Sequence, residues 1–396
     1  MSKSIRIASY PSRDDTSNPY VDLFYAALAP HGIELVGELK MDFDWLTEHY
    51  GRIDGVHFHW PEHLWRWFIP PNNSRIHHFL HNKVAGLWRV FQYLNYLKTL
   101  PKFKKIIHPI NKLKGILEFR KFLKLCKKNG IRIIWTLHNI ESHERNDWID
   151  KLGYHYLSKA TDLVIFHSET SKNEYFERYH INGQLVVMPH GNYDNFYPTP
   201  RPKNIVLAEL GLRDDLPIVS CLGMLRNYKG LNVATEAISL LGDEVQFLCA
   251  GKSHPSFDLV SLQNNIMKLT NALLIPRFIN NQEFADYVSI SNLVLMPYNR
   301  ITGSGALLAV LTLGRGVVAS DLPYFREILG NNSDAGMLVA SEDPTAFAEN
   351  IRKYLIIPAN KSNQAARFLA ERYEWSKVVP PVVEVIKNWG EFGTTS

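Results

Sequence analysis

Residues 217–230 read Pro217-Ile-Val-Ser-Cys-Leu222-Gly223-Met-Leu-Arg226-Asn-Tyr-Lys229-Gly230. The run Pro217–Leu222 is short, apolar and rich in β-branched residues, as a strand buried on both faces must be. Gly223 ends it, a loop with two cations follows, and Gly230 opens the next apolar-periodic stretch. Strand, glycine-bearing loop and helix form the repeating unit of a parallel sheet covered by helices. Glycine lets backbone approach a ligand closely, and Arg226 and Lys229 beside it suit a diphosphate. A solvated loop with two ordinary surface cations is the plain alternative.

The same alternation extends in both directions. Downstream, strands are expected at Val245–Ala250, Ala272–Ile275, Leu293–Met296, Val317–Ala319 and Gly336–Val339, with helices near Lys361–Tyr373 and Val378–Trp389. Upstream, they are expected at Ser4–Tyr10, Gly55–Phe58, Arg132–Leu137, Leu163–Phe166 and Leu185–Met188. A helix is expected over Pro19–His31, stopped by Gly32, and another is capped by Ser168. The Pro-rich stretch Tyr197-Pro-Thr-Pro-Arg-Pro-Lys203 breaks the pattern and reads as a linker. The expected fold class is α/β, two doubly wound Rossmann-like domains facing a cleft. The expected bounds are 1–198, 199–375 and a C-terminal helix, 376–396, crossing back. Ligands of such sheets sit at the carboxyl ends of the strands.

Three further clusters fall at strand ends. Thr302-Gly-Ser304-Gly305 leads into a helix with Ser304 as its cap, and the free N–H groups there make an anion site. Joined with Arg226 and Lys229, this sketches a diphosphate clamp. Trp135-Thr-Leu-His138-Asn-Ile-Glu-Ser-His143-Glu144 places His138 at a strand end, with Glu144 in the loop beyond. Gly55-Val-His57-Phe-His59-Trp-Pro-Glu62 places His59 likewise, His57 reading as a buried core histidine. Pro189-His190-Gly191-Asn192-Tyr193 follows the last strand of the first half and is expected to face the cleft. No GxxxxGK[ST], GxGxxG or HExxH spacing occurs, which argues against ATP or NAD loops of those kinds and against a metal.

These residues together resemble a GT-B glycosyltransferase. Gly223–Gly230 is similar to the G-x-x-R-x-x-K-G loop that binds the donor diphosphate. Ala309–Ser320 with Pro323–Ile328 resembles the EA-x-x-x-G-x-P-V-V-A-S signature and its following Glu. Asn18-Pro-Tyr20 and Thr136-Leu-His138-Asn139 resemble loops on the acceptor side. One departure matters. Members that retain configuration carry two glutamates eight positions apart, whereas this chain has Ile301 and Ala309 there. The replacement resembles a divergent branch that includes bacterial exopolysaccharide β-mannosyltransferases. It implies inversion, with one base taking the acceptor proton in a single displacement.

The resemblance implies donor contacts from Gly223, Arg226, Lys229, His190, Ser304 and Gly305, with Arg277 near the base and Glu327 near the ribose. On the acceptor side it implies Asn18, Tyr20, His59 and Glu62. Glu144 and His138 are the first candidates for the base, followed by Asp14. No cofactor and no metal are expected. The donor is a nucleotide-sugar, GDP-mannose being one candidate, and the acceptor a polyprenyl-diphosphate-linked saccharide. The alternatives are a retaining enzyme with a rebuilt site, a nucleotide-sugar epimerase, and a non-catalytic lipid- or nucleic-acid-binding protein of the same fold.

Composition sets the remaining bounds. The chain has 396 residues, 45% apolar and 21% charged, enough for two domains and unlike a disordered sequence. Its three cysteines, widely spaced, offer no disulfide framework, and its start runs into a strand without an apolar leader. The charge-free run 301–314 is too short to span a bilayer. A cytoplasmic protein is therefore expected. The net charge of +5 conceals an asymmetry: residues 83–128 carry 13 Lys/Arg and one acid, leaving −7 for the rest. Leu, Ile, Phe, Tyr and Trp interleave with those cations, as in basic amphipathic helices broken at Pro101 and Pro109. This pattern fits an anionic membrane surface better than nucleic acid.

Overall fold

Apolar runs of four to six residues become strands here because both faces of a parallel sheet are covered. The computed structural model describes residues 4–11, 19–40, 43–66, 101–138, 148–330, 334–340 and 342–390, the side chains of 43, 101–110 and 390 excepted. The chain divides into two units. Unit 1 comprises Met1–Phe166, Glu174–Val186 and Val382–Ser396; unit 2 comprises His167–Asn173 and Val187–Pro381.

Unit 1 runs β1 (Ile5–Tyr10), α1 (Tyr20–Leu28), β2 (Ile33–Glu38), α2 (Phe43–His49), β3 (Gly55–Phe58), α3 (Glu62–Arg66) and α4 (Pro101–Lys128). It continues with β4 (Arg132–Leu137), α5 (Trp148–Ala160), β5 (Leu163–Phe166), α6 (Glu169–Phe176) and β6 (Gln184–Val187), α6 straddling the division. Its parallel sheet has the order β2-β1-β3-β4-β5-β6. The order reverses at β1, so the crevice lies beyond the carboxyl ends of β1 and β3. Phe58, Phe119, Phe122, Trp135 and Phe166 fill the core. Trp389 packs its ring on Gly55, where a Cβ would stand 3.2 Å from it.

Unit 2 runs α7 (Lys203–Leu210), β7 (Ile218–Leu222), α8 (Leu231–Leu241), β8 (Gln246–Ala250), α9 (Leu259–Ile266), β9 (Ala272–Ile275) and α10 (Asn281–Ile290). Then follow β10 (Leu293–Met296), α11 (Gly305–Thr312), β11 (Val317–Ser320), α12 (Pro323–Leu329), β12 (Gly336–Val339), α13 (Pro344–Leu355) and α14 (Ala359–Glu371). The sheet order is β12-β11-β10-β7-β8-β9, with its reversal between β7 and β10. Val219, Cys221, Phe247, Cys249 and Leu295 on one face of the sheet meet Ala234, Ile238, Phe347 and Ile351 of α8 and α13.

Three features depart from the sequence reading. Strand β2 lies at the sheet edge, where Glu34 and Glu38 can face water, so it lacks the apolar run of a central strand. Helix α4 starts at Pro101 but continues through Pro109 to Lys128, correcting the expected break. An interior proline costs about 3 kcal/mol. The packing of Ile116, Phe119, Phe122, Leu123 and Cys126, all buried further along, offsets it. The Pro-rich stretch is no free linker: Arg201 bonds Asp286 and Glu209, and Tyr197 stacks on Phe284 at 5.0 Å. Of the basic segment, 83–100 lies outside the described residues.

Candidate active site

In unit 2 the loops after β7 and β10 meet at the sheet's reversal. Gly230, at φ +61°, caps α8, and a Cβ there would run into the Pro297 carbonyl. The Asn299 N–H donates to the Tyr228 carbonyl at 2.8 Å, tying the two loops together. Lys229 is drawn inward. Its Nζ donates to the Leu222 carbonyl at 3.1 Å and lies 5.7 Å from the centre of the Tyr298 ring. Gly223, at φ +88°, leaves its Cα side open towards that ammonium, a Cβ there standing 3.3 Å from Nζ.

No carboxylate pairs with Lys229 among the described residues. Burial pushes its ammonium down to about 8, with neighbouring Cys221, Cys249 and Arg226 making smaller contributions. A buried cation with only a carbonyl and a ring for company carries unmet demand for an anion. Arg226, half-buried and extended, follows the turn with its Nε 3.2 Å from Met224 Sδ.

The other side of the site is the start of α11. Ser304 Oγ accepts from the Leu307 N–H at 3.2 Å, capping the helix. At Gly305 a Cβ would collide with the Tyr193 hydroxyl and stand 3.3 Å from His190 Nε2. Only glycine fits under that pair. The His190 loop is fixed from behind: Trp375 covers Gly191 and donates its indole N–H to Asn192 O at 2.9 Å. His190 donates from Nδ1 to the Gly191 carbonyl at 2.6 Å, which turns Nε2 into an acceptor. His167, ring centre 5.5 Å away, bonds the Met188 carbonyl. Burial pushes His190 down to about 4 and His167 to about 3, so both are neutral at physiological pH. The helix start is therefore lined by neutral imidazoles, a phenol and a serine, with Ser168 donating to the Thr302 carbonyl at 3.2 Å.

In unit 1 the reversal gathers different chemistry. His59, just past β3, and His138, just past β4, meet with Nδ1 and Nε2 3.1 Å apart. Trp60 stacks on His138 at 4.5 Å, and Tyr20, the first residue of α1, presents its edge to His138 at 4.7 Å and His59 at 5.5 Å. Below them His57 is fully buried. Its two nitrogens meet the Tyr25 hydroxyl and Thr136 Oγ1, each at 2.8 Å. Burial, then the proximity of His138, pushes its pKa well below the ordinary histidine value.

Comparison with known proteins shows what this arrangement is similar to. Residues 216–356 match the model described as "Glycosyl transferases group 1". A GDP-mannose:glycolipid 4-beta-D-mannosyltransferase of Xanthomonas campestris pv. campestris is 21% identical over 311 residues, 76% of this chain and 70% of that protein. Sucrose-phosphate synthase from Thermosynechococcus elongatus superposes with TM-score 0.66 at 16% identity, over 98% of this chain and 100% of that one. Anabaena HepE in complex with UDP gives TM-score 0.65 at 12% identity, over 97% and 100%. The chain has the fold of the GT-B glycosyltransferases, and its residues 216–356 match a glycosyltransferase family.

Within this fold the structure brings together Gly223, Arg226 and Lys229, and separately Ser304, Gly305 and His190. It also brings together Tyr20, His59 and His138. Arg277 turns to Glu283, bonding both carboxylate oxygens at 2.7 and 3.1 Å, within the capping box that starts α10. Glu327 accepts from the Glu169 N–H at 3.3 Å at the start of α6; partial burial raises its carboxyl above the usual range. Glu62 is buried and bonds Tyr154, in a network where Arg66, Lys112 and Trp65 all reach Asp150. Asp14, Asn18 and Glu144 lie outside the described residues. Two residues are missing from the sequence reading, His167 and Tyr298. His167 follows β5 directly, the position that singled out His59 and His138, and that signal could have found it.

Proposed function

We propose that this glycosyltransferase transfers a hexose from a nucleotide-sugar to a lipid-linked saccharide with inversion and without a metal ion. Lys229 carries the reading: a buried ammonium with no carboxylate partner among the described residues, beside Arg226, is a receptor for a diphosphate. As the glycosidic bond to the donor breaks, negative charge grows on that diphosphate, and fixed cations stabilise it most at that moment. The start of α11 adds N–H donors. Among the described residues no group of His, Cys, Asp and Glu side chains forms a set of the kind a divalent cation takes.

Ile301 and Ala309 leave α11 without the carboxylate pair of the retaining enzymes, which supports a single displacement driven by a base. His138 is the base of choice in unit 1, half-exposed at a strand end and flanked by aromatic rings that suit a sugar. The donor named for the Xanthomonas relative, GDP-mannose, is the first to test, and its glycolipid acceptor and β linkage fit the same reading.

Helix α4 supports delivery to a lipid-borne acceptor. Its exposed face holds Lys114, Arg120, Lys121, Lys124, Lys127 and Lys128 around an exposed Leu117. Each cation near an anionic leaflet contributes about 1 kcal/mol. No helix among the described residues is long and apolar enough to cross a membrane.

A thermal-shift screen of GDP, UDP and ADP tests the donor site; stabilisation by none of them would overturn it. The anomeric configuration of the product by NMR tests inversion. Flotation with neutral and anionic liposomes tests α4, equal binding to both counting against it.

A further inference from the structure

We propose that unit 1 meets an anionic leaflet through two helices. Helix α5 lies beside α4, extends its basic face, and carries Trp148 into the headgroup layer at the end of the unit where His59 and His138 meet. The proposal rests on α4 facing lipid and goes beyond it by fixing which end of unit 1 is held against the membrane.

Three contacts set the helices side by side. Lys112 of α4 holds Asp150 of α5 at 2.9 Å, and the Arg120 guanidinium sits 4.8 Å over the Tyr156 ring. Further along, Lys127 reaches Asp162, just past α5, at 2.7 Å. The partners follow in the same order along both elements, so the helices run parallel. Arg120 is exposed and lies across the seam, which makes the two outer faces one surface.

The exposed residues of α5 are Trp148, Lys151, His155 and Lys159, three or four positions apart and so on one side of the helix. The one acid in α5, Asp150, is buried beneath them among Trp65, Arg66 and Lys112. On α4 the one acid, Glu118, is tied to Lys121 at 2.7 Å. Asp162 is held by Lys127 and Arg132, and further acids come with α6, at Glu169 and Glu174. The positive field therefore belongs to α4 and α5 together. Any polyanion suits that sign, and the apolar residues select lipid. Leu117 is 43% exposed amid the cations; its aliphatic chain finds acyl carbons in a membrane but has no face to stack on a base.

Trp148 gives the surface a direction. The first turn of α5 is bonded to α3, Asp150 accepting from Trp65 Nε1 at 2.7 Å and from Arg66 at 2.8 Å. Helix α3 begins three residues after His59, and His138 lies just past β4, so Trp148 stands at the carboxyl end of the sheet. Lys127 and Lys128 stand at the opposite end, where the chain turns into β4. An indole, apolar over its ring and polar at its N–H, partitions to the headgroup layer, and Trp148 is 66% exposed to water without it. The lysines draw the face to the leaflet, and Trp148 sinks the strand ends rather than the strand starts. A saccharide held at the lipid headgroup is thereby presented to the end of unit 1 that carries the imidazoles.

The full chain is tested by flotation on vesicles of phosphatidylcholine alone and with about one-third phosphatidylglycerol. Lys151→Gln with Lys159→Gln should lower partition to the anionic vesicles about 30-fold, each cation counting about fivefold. Trp148→Ala should lower it about tenfold. Lys268→Gln with Lys353→Gln, the same charge change at exposed positions of unit 2, should leave it unchanged. All three should melt as the wild type does. Lipids brominated near the glycerol end of their chains should quench wild-type fluorescence more than that of Trp148→Phe. Wild-type partition in the α5 variants, with binding lost in Lys114→Gln plus Lys124→Gln, would overturn the role of α5 and leave that of α4. Equal quenching of Trp148→Phe would overturn the placement of the indole. Tighter binding to single-stranded RNA than to anionic vesicles at equal phosphate would overturn lipid as the partner. A wild-type chain indifferent to vesicle charge would overturn the reading of α4, and this proposal with it.

Discussion

The two units solve different chemical problems at the same place in their sheets. At the reversal in unit 2, glycines bring backbone close and Lys229 is buried with no carboxylate partner among the described residues, making a fixed positive site. At the reversal in unit 1, His59, His138, Tyr20 and Trp60 form a cluster of imidazoles and aromatic rings that can carry a proton and flank a sugar. The strand ends supply position in both cases. What differs is the first few residues beyond each strand, Gly223 and a loop with two cations after β7, and His59 with its aromatic neighbours after β3.

The largest effect that separates them is loss of turnover. Lys229→Ala is expected to lower transfer by about 10²–10³-fold, the scale of removing one fixed stabilising group at a developing anion. Melting should be near native, since a desolvated charge disappears with the side chain. The same variant should lose the thermal shift from a nucleoside diphosphate, whereas His138→Ala should lose turnover and keep the shift. If both variants kept the shift, the division of labour between the units would fail.

Stability separates them next. Burial pushes the Asp150 carboxyl up, but bonds from Arg66, Lys112 and Trp65 outweigh it and hold the group below its usual range. Asp150→Asn leaves two cations short of their partner, one of them the 4% exposed Lys112, and should cost about 3–5 kcal/mol in chemical denaturation. This network joins α3, α4 and α5 of unit 1, so nucleoside diphosphate binding in the folded protein should be unchanged. A weaker diphosphate affinity would mean that the units are not independent in this respect.

A smaller change probes the fit at α11. Gly305→Ala drives a methyl into the Tyr193 hydroxyl and should cost about 1–3 kcal/mol, the usual range for overpacking. Tyr193→Phe in the same chain should return part of that cost. Additive costs in the double variant would show that Tyr193 does not set the space above Gly305.

Legibility in the sequence follows the same division. Gly55–Phe58, Arg132–Leu137, Leu163–Phe166 and Leu293–Met296 are strands over the residues their apolar runs delimit, because central strands must be apolar on both faces; the edge strands Ala272–Ile275 and Gly336–Val339 keep the same apolar signal. The loop of Gly223, Arg226, Lys229 and Gly230 is readable as a unit because its glycines and cations are neighbours in the chain. The imidazole pair is not, since His59 and His138 are 79 residues apart and meet only because β3 and β4 pair, Phe58 beside Trp135. Glu62 reads as part of the acceptor side by its nearness to His59, but α3 turns it to Tyr154. No local pattern marks that turn, and none marks Pro109 inside a helix held by packing further along.

The smallest signal, a fraction of a proton, also tests the unit 2 site without any catalysis. Lys229 is pushed down to about 8 from an ordinary 10.5, so between those values the folded chain binds fewer protons than the unfolded one. Stability contributed by this group therefore rises with pH across that window, by about 3 kcal/mol in all at 1.36 kcal/mol per unit. A bound diphosphate reverses the balance by favouring the ammonium. At pH 8.5, binding should take up a fraction of a proton, seen in calorimetry as a heat that depends on the ionisation enthalpy of the buffer. Affinity should weaken as pH rises past about 8, and Lys229→Arg, charged throughout, should abolish both dependences. Heats independent of buffer in the wild-type protein would mean that Lys229 is already fully charged in the free site, and that burial leaves it no unmet demand for the anion.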